Sequence, residues 1–227
     1  MRRLTAASAV LLIALSACKG SEEAPGPDET PQERLVEAKA QFDDSEFIDF
    51  TLETDSLPEG IEGLLRAEGT GSHAPAFTGV VDVETGVTPL EDTSLIAVGG
   101  AVYVDLPFIG WTDLDPADYG APDPADLMKT DGGISSLFTA TTGVSEGESE
   151  RDGEVVLTTL KGTLAGEAVQ QVFPSAGSDP FDVTYTVTDD NDVAGAQITG
   201  AFYGGSVPVT YFLDLELDAD SVDIEAP

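Results

Sequence analysis

The sequence predicts an α+β domain built on a single, highly twisted antiparallel sheet with helices gathered on one face. Three observations carry the prediction. From Glu46 onward apolar and polar residues alternate with a period of two, the signature of strands with one buried and one wet face. Gly-Gly, Asp-Gly and Asp/Asn clusters punctuate these runs where tight hairpins need them. Two stretches of helical spacing interrupt the strands without alternating regularly with them, which argues against a parallel α/β sheet.

The first element is a helix from Pro31 to about Phe42. Thr30 stands as N-cap, Pro31 takes the first helical position and Glu33 closes a capping box. Leu35, Ala38 and Phe42 share one face at three- and four-residue spacing. In "EFIDFTLET" Ile48, Phe50 and Leu52 then alternate with Asp49, Thr51 and Glu53, and Phe77, Val81 and Val83 alternate with Val80, Asp82 and Glu84. "TSLIAVGGAVYVDL" reads as two strands turning at Gly99 and Gly100. "ERDGEVVLTTL" reads as a hairpin at Asp152 and Gly153, "PFDVTYTVTDDNDVAGAQITGAF" as another, and "VPVTYFLDLEL" as the closing strand, with Val209, Tyr211, Leu213, Leu215 and Leu217 on one side. "DPADLMKTDGGISSLFTATTG" carries Leu127, Met128, Ile134, Leu137 and Phe138 at helical spacing, and "AGEAVQQVF" forms a short helix before Pro174. About ten strands with short turns imply one meandering sheet.

Composition narrows the chemistry. The chain has 227 residues, with 9 Lys plus Arg against 43 Asp plus Glu, a net charge of −34. Nucleic acid is excluded as a partner, since a polyanion would be repelled and there is no basic stripe. One cysteine, Cys18, and one histidine, His73, leave no material for Cys/His catalysis or a histidine-rich metal site. Gly143, Val144, Ser145, Glu146 and Gly147 spell G-x-S-x-G, but His73 precedes the serine and the surroundings read as loop and strand edge rather than a strand-to-helix elbow. Gly69, Thr70 and Gly71 open a partial dinucleotide fingerprint that runs into Pro75 instead of a helix. "TDDNDVAG" lacks the ligand spacing of a calcium loop and suits a hairpin turn. The expectation is a non-enzyme without cofactor or metal.

At the N-terminus Arg2 and Arg3 precede an apolar run from Leu4 to Leu15, the pattern of a signal peptide over residues 1–17. Leu15, Ser16, Ala17 and Cys18 resemble the bacterial lipobox, in which the cysteine is diacylated and becomes residue one. Ordinary cleavage leaving a free thiol is the alternative. Residues 18–29, with Pro25 and Pro27, would then be a flexible tether from lipidated Cys18, and 30–227 a single domain. The expected location is the outer face of the cell membrane, where multiple acyl chains hold more firmly than one.

The order of these elements resembles a known family. "VGGAVYVDLPFIGWTDLDPADYGAPDPADLM" and "RDGEVVLTTLKGTLAGEAVQQVFP" are similar to successive segments of the LppX/LprG family of actinobacterial cell-envelope lipoproteins, and lipobox, spacer, first helix and closing strands match in order. The acid load is heavier than the family's pattern. The resemblance implies a half-barrel with helices on its concave face and an apolar cavity between, binding multi-acylated lipids or glycolipids. For some members it also implies a membrane efflux transporter as partner. Independently of any family, each CH₂ moved from hydrocarbon to water costs about 0.8 kcal/mol, so a lipid crosses an aqueous envelope only inside a dry shell.

Candidate cavity residues are the apolar strand faces and the helices that cover them: Ile48, Phe50, Phe77, Val81, Ile96, Val102, Val104, Leu127, Leu137, Phe138, Val183, Tyr185, Ile198, Tyr211 and Leu213. Each could equally be an ordinary core residue. Trp111, in "IGWTDLD", caps the sheet edge or joins the cavity rim, and His73 is expected in an exposed loop. Two functions follow: an anchored lipid or glycolipid carrier, or a surface scaffold whose core is filled and which works through protein contacts.

Overall fold

The computed structural model describes residues 29–153, 155–205 and 207–227; the expected signal peptide, Cys18 and most of the expected tether lie outside the described residues. Helix α1 runs Pro31–Asp44, and both arms of the capping box form. The Glu33 N–H donates to Thr30 Oγ1 at 3.2 Å, and the Thr30 N–H donates to Glu33 Oε2 at 2.8 Å. The hydrogen bonds from Thr30 hold the Glu33 carboxyl below the usual carboxylate range. Leu35, Ala38 and Phe42 are the buried stripe.

Eleven strands follow: β1 Phe47–Glu53, β2 Gly63–Ser72, β3 Ala76–Glu84, β4 Leu90–Val98, β5 Ala101–Leu106, β6 Gly110–Leu114, β7 Thr142–Asp152, β8 Val155–Leu164, β9 Phe181–Val187, β10 Val193–Gly200 and β11 Val209–Leu217. They form one antiparallel sheet in the order β6-β5-β4-β3-β2-β1-β11-β10-β9-β8-β7. The sheet is therefore two meanders joined by pairing the first strand with the last, Ile48 opposite Leu217 and Phe50 opposite Leu215. It stays open, because the consecutive strands β6 and β7 stand at opposite edges. The segment that connects them must cross the inner face. It carries a 3-10 turn at Pro116–Tyr119, α2 at Pro124–Leu127 and α3 at Ser136–Ala140; α4, Gly166–Val172, packs beside α3.

Local chemistry fixes several turns. Gly99 and Gly100 take φ of 64° and 80°, the two positive values that let β4 and β5 turn in two residues. In the β9–β10 turn Asn191 adopts φ 68°, and the Asp192 carbonyl accepts from the Thr188 N–H at 2.9 Å, so "TDDND" is a hairpin turn. Asp123 caps α2 through the Ala125 N–H at 2.9 Å.

Two strands depart from the alternation rule. On the inner face β2 presents Ala67, Gly69 and Gly71 where an apolar alternation would have marked it, and β6 is five residues long. The close packing explains the glycines: a Cβ on Gly71 would collide with the Met128 side chain, and one on Gly69 would meet the Thr78 carbonyl and the Phe77 ring. The G-x-S-x-G stretch lies inside β7, an exposed edge strand, and Ser145 pairs in register with Lys161.

Candidate functional site

Across the N-terminal meander the inner residues line up in rows: Phe50, Gly69, Gly79, Leu95 and Val104 in one, Ile48, Gly71, Phe77, Ala97 and Val102 in the next. In the second row small residues alternate with large ones, and Phe50 and Phe77 meet edge to face across the rows, their centroids 5.8 Å apart. Above four leucines, three valines, Ala67 and Phe50 the sheet does not reach its cover. An apolar cavity of about 50 Å³ lies there, lined by Phe50, Leu64, Ala67, Val81, Val83, Leu90, Leu95, Val104 and Leu114 below. Pro116, Tyr119, Ala121, Pro122, Pro124 and Leu127 form its roof. One water needs about 10–15 Å³ by the same measure and ligand pockets run to about 300–1,000 Å³, so this space is smaller than a lipid chain.

The roof is built lightly. Its backbone hydrogen bonds are short-range, Gly120 to Ala117, Ala121 to Pro116 and Met128 to Ala125. It is tied outward by the Ser175 hydroxyl, which donates to the Gly120 carbonyl at 2.6 Å, and by His73. Burial pushes the Asp123 carboxyl above the usual carboxylate range, against the opposing pull of the Ala125 N–H.

His73 is not an exposed loop residue. Its ring nitrogens face the Met128 carbonyl at 2.5 Å and the Phe42 carbonyl at 2.8 Å, so it joins the end of the roof helix to α1. A backbone carbonyl to accept from its ring N–H accounts for a polar ring half-buried here. Lys39 strengthens the same junction through Thr130, Ser135 and Asp43, and the Ser135 hydroxyl donates to Asp43 Oδ1 at 2.7 Å.

Of the residues expected to line a cavity, Phe50, Val81, Val104 and Leu127 do. Tyr211 lines a small neighbouring cleft, and Val102 lines an open groove beside β6. Ile48, Phe77, Leu137, Phe138, Val183, Tyr185, Ile198 and Leu213 are buried in the main core. Ile96 belongs to the outer face, opposite Thr78 and Tyr103, while its neighbours Leu95 and Ala97 point inward. Four apolar residues in a row, Leu95 to Val98, give alternation nothing to choose between. The bulge between Val81 and Val83, where Asp92 takes φ 47°, resets β4's register. The lining residues Leu64, Leu95, Leu114 and the three prolines were beyond sequence reasoning, because the crossing of the connecting segment brings them together.

The C-terminal meander is filled. Phe138 meets Tyr185 edge to face at 5.4 Å, and Phe202 meets Phe173, Phe181 and Tyr211 at 5.3, 5.0 and 4.9 Å. The Tyr185 hydroxyl shares a 2.9 Å hydrogen bond with Thr141 Oγ1, and the Tyr211 hydroxyl donates to the Leu64 carbonyl at 2.5 Å. Burial pushes both phenols well above the usual tyrosine range. Among the described residues no cluster of His, Cys, Asp and Glu is arranged to hold a metal, and no helix is long and apolar enough to cross a membrane.

The site is thus an apolar space between an open antiparallel half-sheet and the segment that crosses its inner face. The chain matches the LppX_LprAFG lipoprotein family over residues 30–214, and it belongs to that family. Its fold is similar to LprF from Mycobacterium bovis, with a TM-score of 0.69 at 13% identity over 87% of this chain and 96% of that one. It is similar too to the lipoprotein LppX of Mycobacterium tuberculosis, with a TM-score of 0.63 at 16% identity over 86% and 98% of the two chains. No curated protein sequence matches the chain.

Proposed function

We propose that the protein is a non-enzymatic, membrane-anchored carrier that holds acyl chains of a lipid or glycolipid between the N-terminal meander and its roof. The observation that carries this reading is the all-apolar lining of that space, Phe50, Val81, Leu95 and Val104 facing Pro116, Pro122 and Leu127. An acyl chain needs more than the present volume. The reading therefore includes displacement of the 115–127 segment, which rests on apolar contact rather than on strand hydrogen bonds to the sheet below it. Lipidation at Cys18 would hold the domain on the outer face of the cell membrane beside its cargo, and a membrane transporter is the natural partner for onward transfer. A protein-contact scaffold is the second reading, favoured by the ring-packed C-terminal half.

Native mass spectrometry with organic extraction on the chain from Lys19 onward, produced in an actinobacterial host, tests the two. Discrete multi-acylated adducts that disappear in Val104→Trp are expected of the carrier. A bare polypeptide mass that stays bare after incubation with envelope lipids is the scaffold's result.

A further inference from the structure

Among the described residues eight large apolar side chains stand out from the surface, and five of them, Val87, Phe108, Ile109, Trp111 and Val207, belong to one end of the sheet. The register places them there: the β3–β4, β5–β6 and β10–β11 connections all leave from the same end of the strands. The β3–β4 and β5–β6 tips are two strand spacings apart, about 10 Å. Phe108 is 109% exposed, Val87 91% and Ile109 71%.

Charge marks the same loops. In a chain of net charge −34, residues 85–90, 106–112 and 199–213 contain no ionisable acid or base other than tyrosine. The β1–β2 connection at the same end carries Asp55, Glu59 and Glu62, so the uncharged surface is that of the tips themselves and not of the whole end. Backbone cost points the same way, since Phe108 holds φ 67°, a left-handed conformation that a bulky residue adopts only at a penalty and that glycine would take freely.

We propose that this end is a bilayer-docking rim, with Phe108, Ile109 and Trp111 of the β5–β6 tip entering the interfacial layer of a phospholipid membrane. An amphipathic indole beside apolar side chains suits that layer, and a protruding two-strand tip lacks the breadth of about 800 Å² that a protein partner occupies. The rim is also the end at which Leu90, Val83 and Val104 of the cavity lining lie, so docking sets the chamber against lipid. Reach permits it: α1 begins at the far end, where the Asn191 side chain bonds Glu29, and the chain from Cys18 to Glu29 can span about 35–40 Å, against about 30 Å for a nine-residue strand. The inference adds a membrane contact to the carrier reading; cargo adducts and tip insertion are separate readouts, and either can fail alone.

Trp111 is the only tryptophan, and its outward face on β6 sets it apart from the cavity-lining Leu114, so its fluorescence reports the tip alone. The full acylated chain is reconstituted on phosphatidylglycerol/phosphatidylcholine vesicles with and without brominated acyl chains. The expected result is a blue-shifted Trp111 emission quenched by the brominated lipid, more so at high salt, because screening relieves repulsion between the acidic domain and the anionic surface. Phe108→Ser/Ile109→Ser, which removes no core contact, lowers the inserted-to-withdrawn ratio by about tenfold or more at an unchanged melting temperature. Equal quenching in wild type and variant overturns the proposal. So does an unquenched Trp111 that becomes protected only when envelope membrane proteins are co-reconstituted, which marks a protein contact.

Discussion

The two meanders share one sheet and one inner face but fill it differently. Under β7–β11 the inner face is rings and leucines, Tyr185, Phe181, Leu160 and Leu164, locked edge to face with Phe138 and Phe202. Under β1–β6 a single ring pair, Phe50 and Phe77, and several leucines stand among Ala67, Gly69, Val81, Ala97 and Val104 beneath a proline-rich roof, and a small space is left there. The lesson is a division of labour. The ring-packed half is expected to carry the larger share of the domain's stability, which would leave the other free to keep a cover that is only lightly fastened.

The largest test of that contrast truncates the packed half. Phe138→Ala should cost about 3–5 kcal/mol, read by urea denaturation, since the ring touches both Phe42 and Tyr185. A cost under about 1 kcal/mol would break the comparison. Alkaline titration comes next. The buried neutral phenols of Tyr185 and Tyr211 ionise far less readily than those of the unfolded chain, which titrate near pH 10. The folded state thus binds more protons above that pH, so stability is full below about pH 9 and falls by about 1.4 kcal/mol per pH unit for each such tyrosine beyond 10. Urea midpoints from pH 8 to 11 check it, and Tyr211→Phe should flatten the decline by one tyrosine's share.

On the lightly packed side, Ala67→Leu places a side chain into the cavity. Stability should move by no more than about 1.5 kcal/mol in either direction while lipid adducts vanish from the native mass spectrum. A cost like that of Phe138→Ala would show the N-terminal half to be as tightly filled as its neighbour. The smallest effect belongs to the roof. Asn at position 123 keeps the cap on Ala125 but removes a carboxylate whose ionisation burial opposes. Since that carboxyl titrates higher folded than unfolded, it weakens the fold as pH rises above about 4, and Asp123→Asn should add a few tenths of a kcal/mol at pH 7 after solvent screening. The gain should disappear below about pH 4 in paired thermal melts.

Local signals are legible in the sequence. The capping box of α1, the Gly99-Gly100 turn and the inward set Ile48, Phe50 and Leu52 each depend on residues a few positions apart. β2 left no apolar alternation because its inner positions are glycine and alanine, which make room for Phe77 and Met128 from other elements. Ile96 faces outward against the sequence expectation because an unbroken apolar run carries no parity. The cavity itself depends on which distant residues meet beneath residues 115–127, and His73 drew its two partners from 31 and 55 positions away. Contacts at that separation have no counterpart in local spacing.

The seam between β1 and β11 reaches beyond architecture into the history of each molecule. Whether by synthesis or by export, β1 emerges among the first parts of the domain and β11 among the last, so one edge of β1 waits, bare, until the end. No shorter product can cover it, because the partner of Phe50 is Leu215 and nothing upstream supplies it. Synthesis of β11 and completion of the sheet are thus a single event, and a molecule cut short at Val209 shows its incompleteness by the open edge it displays to proteases.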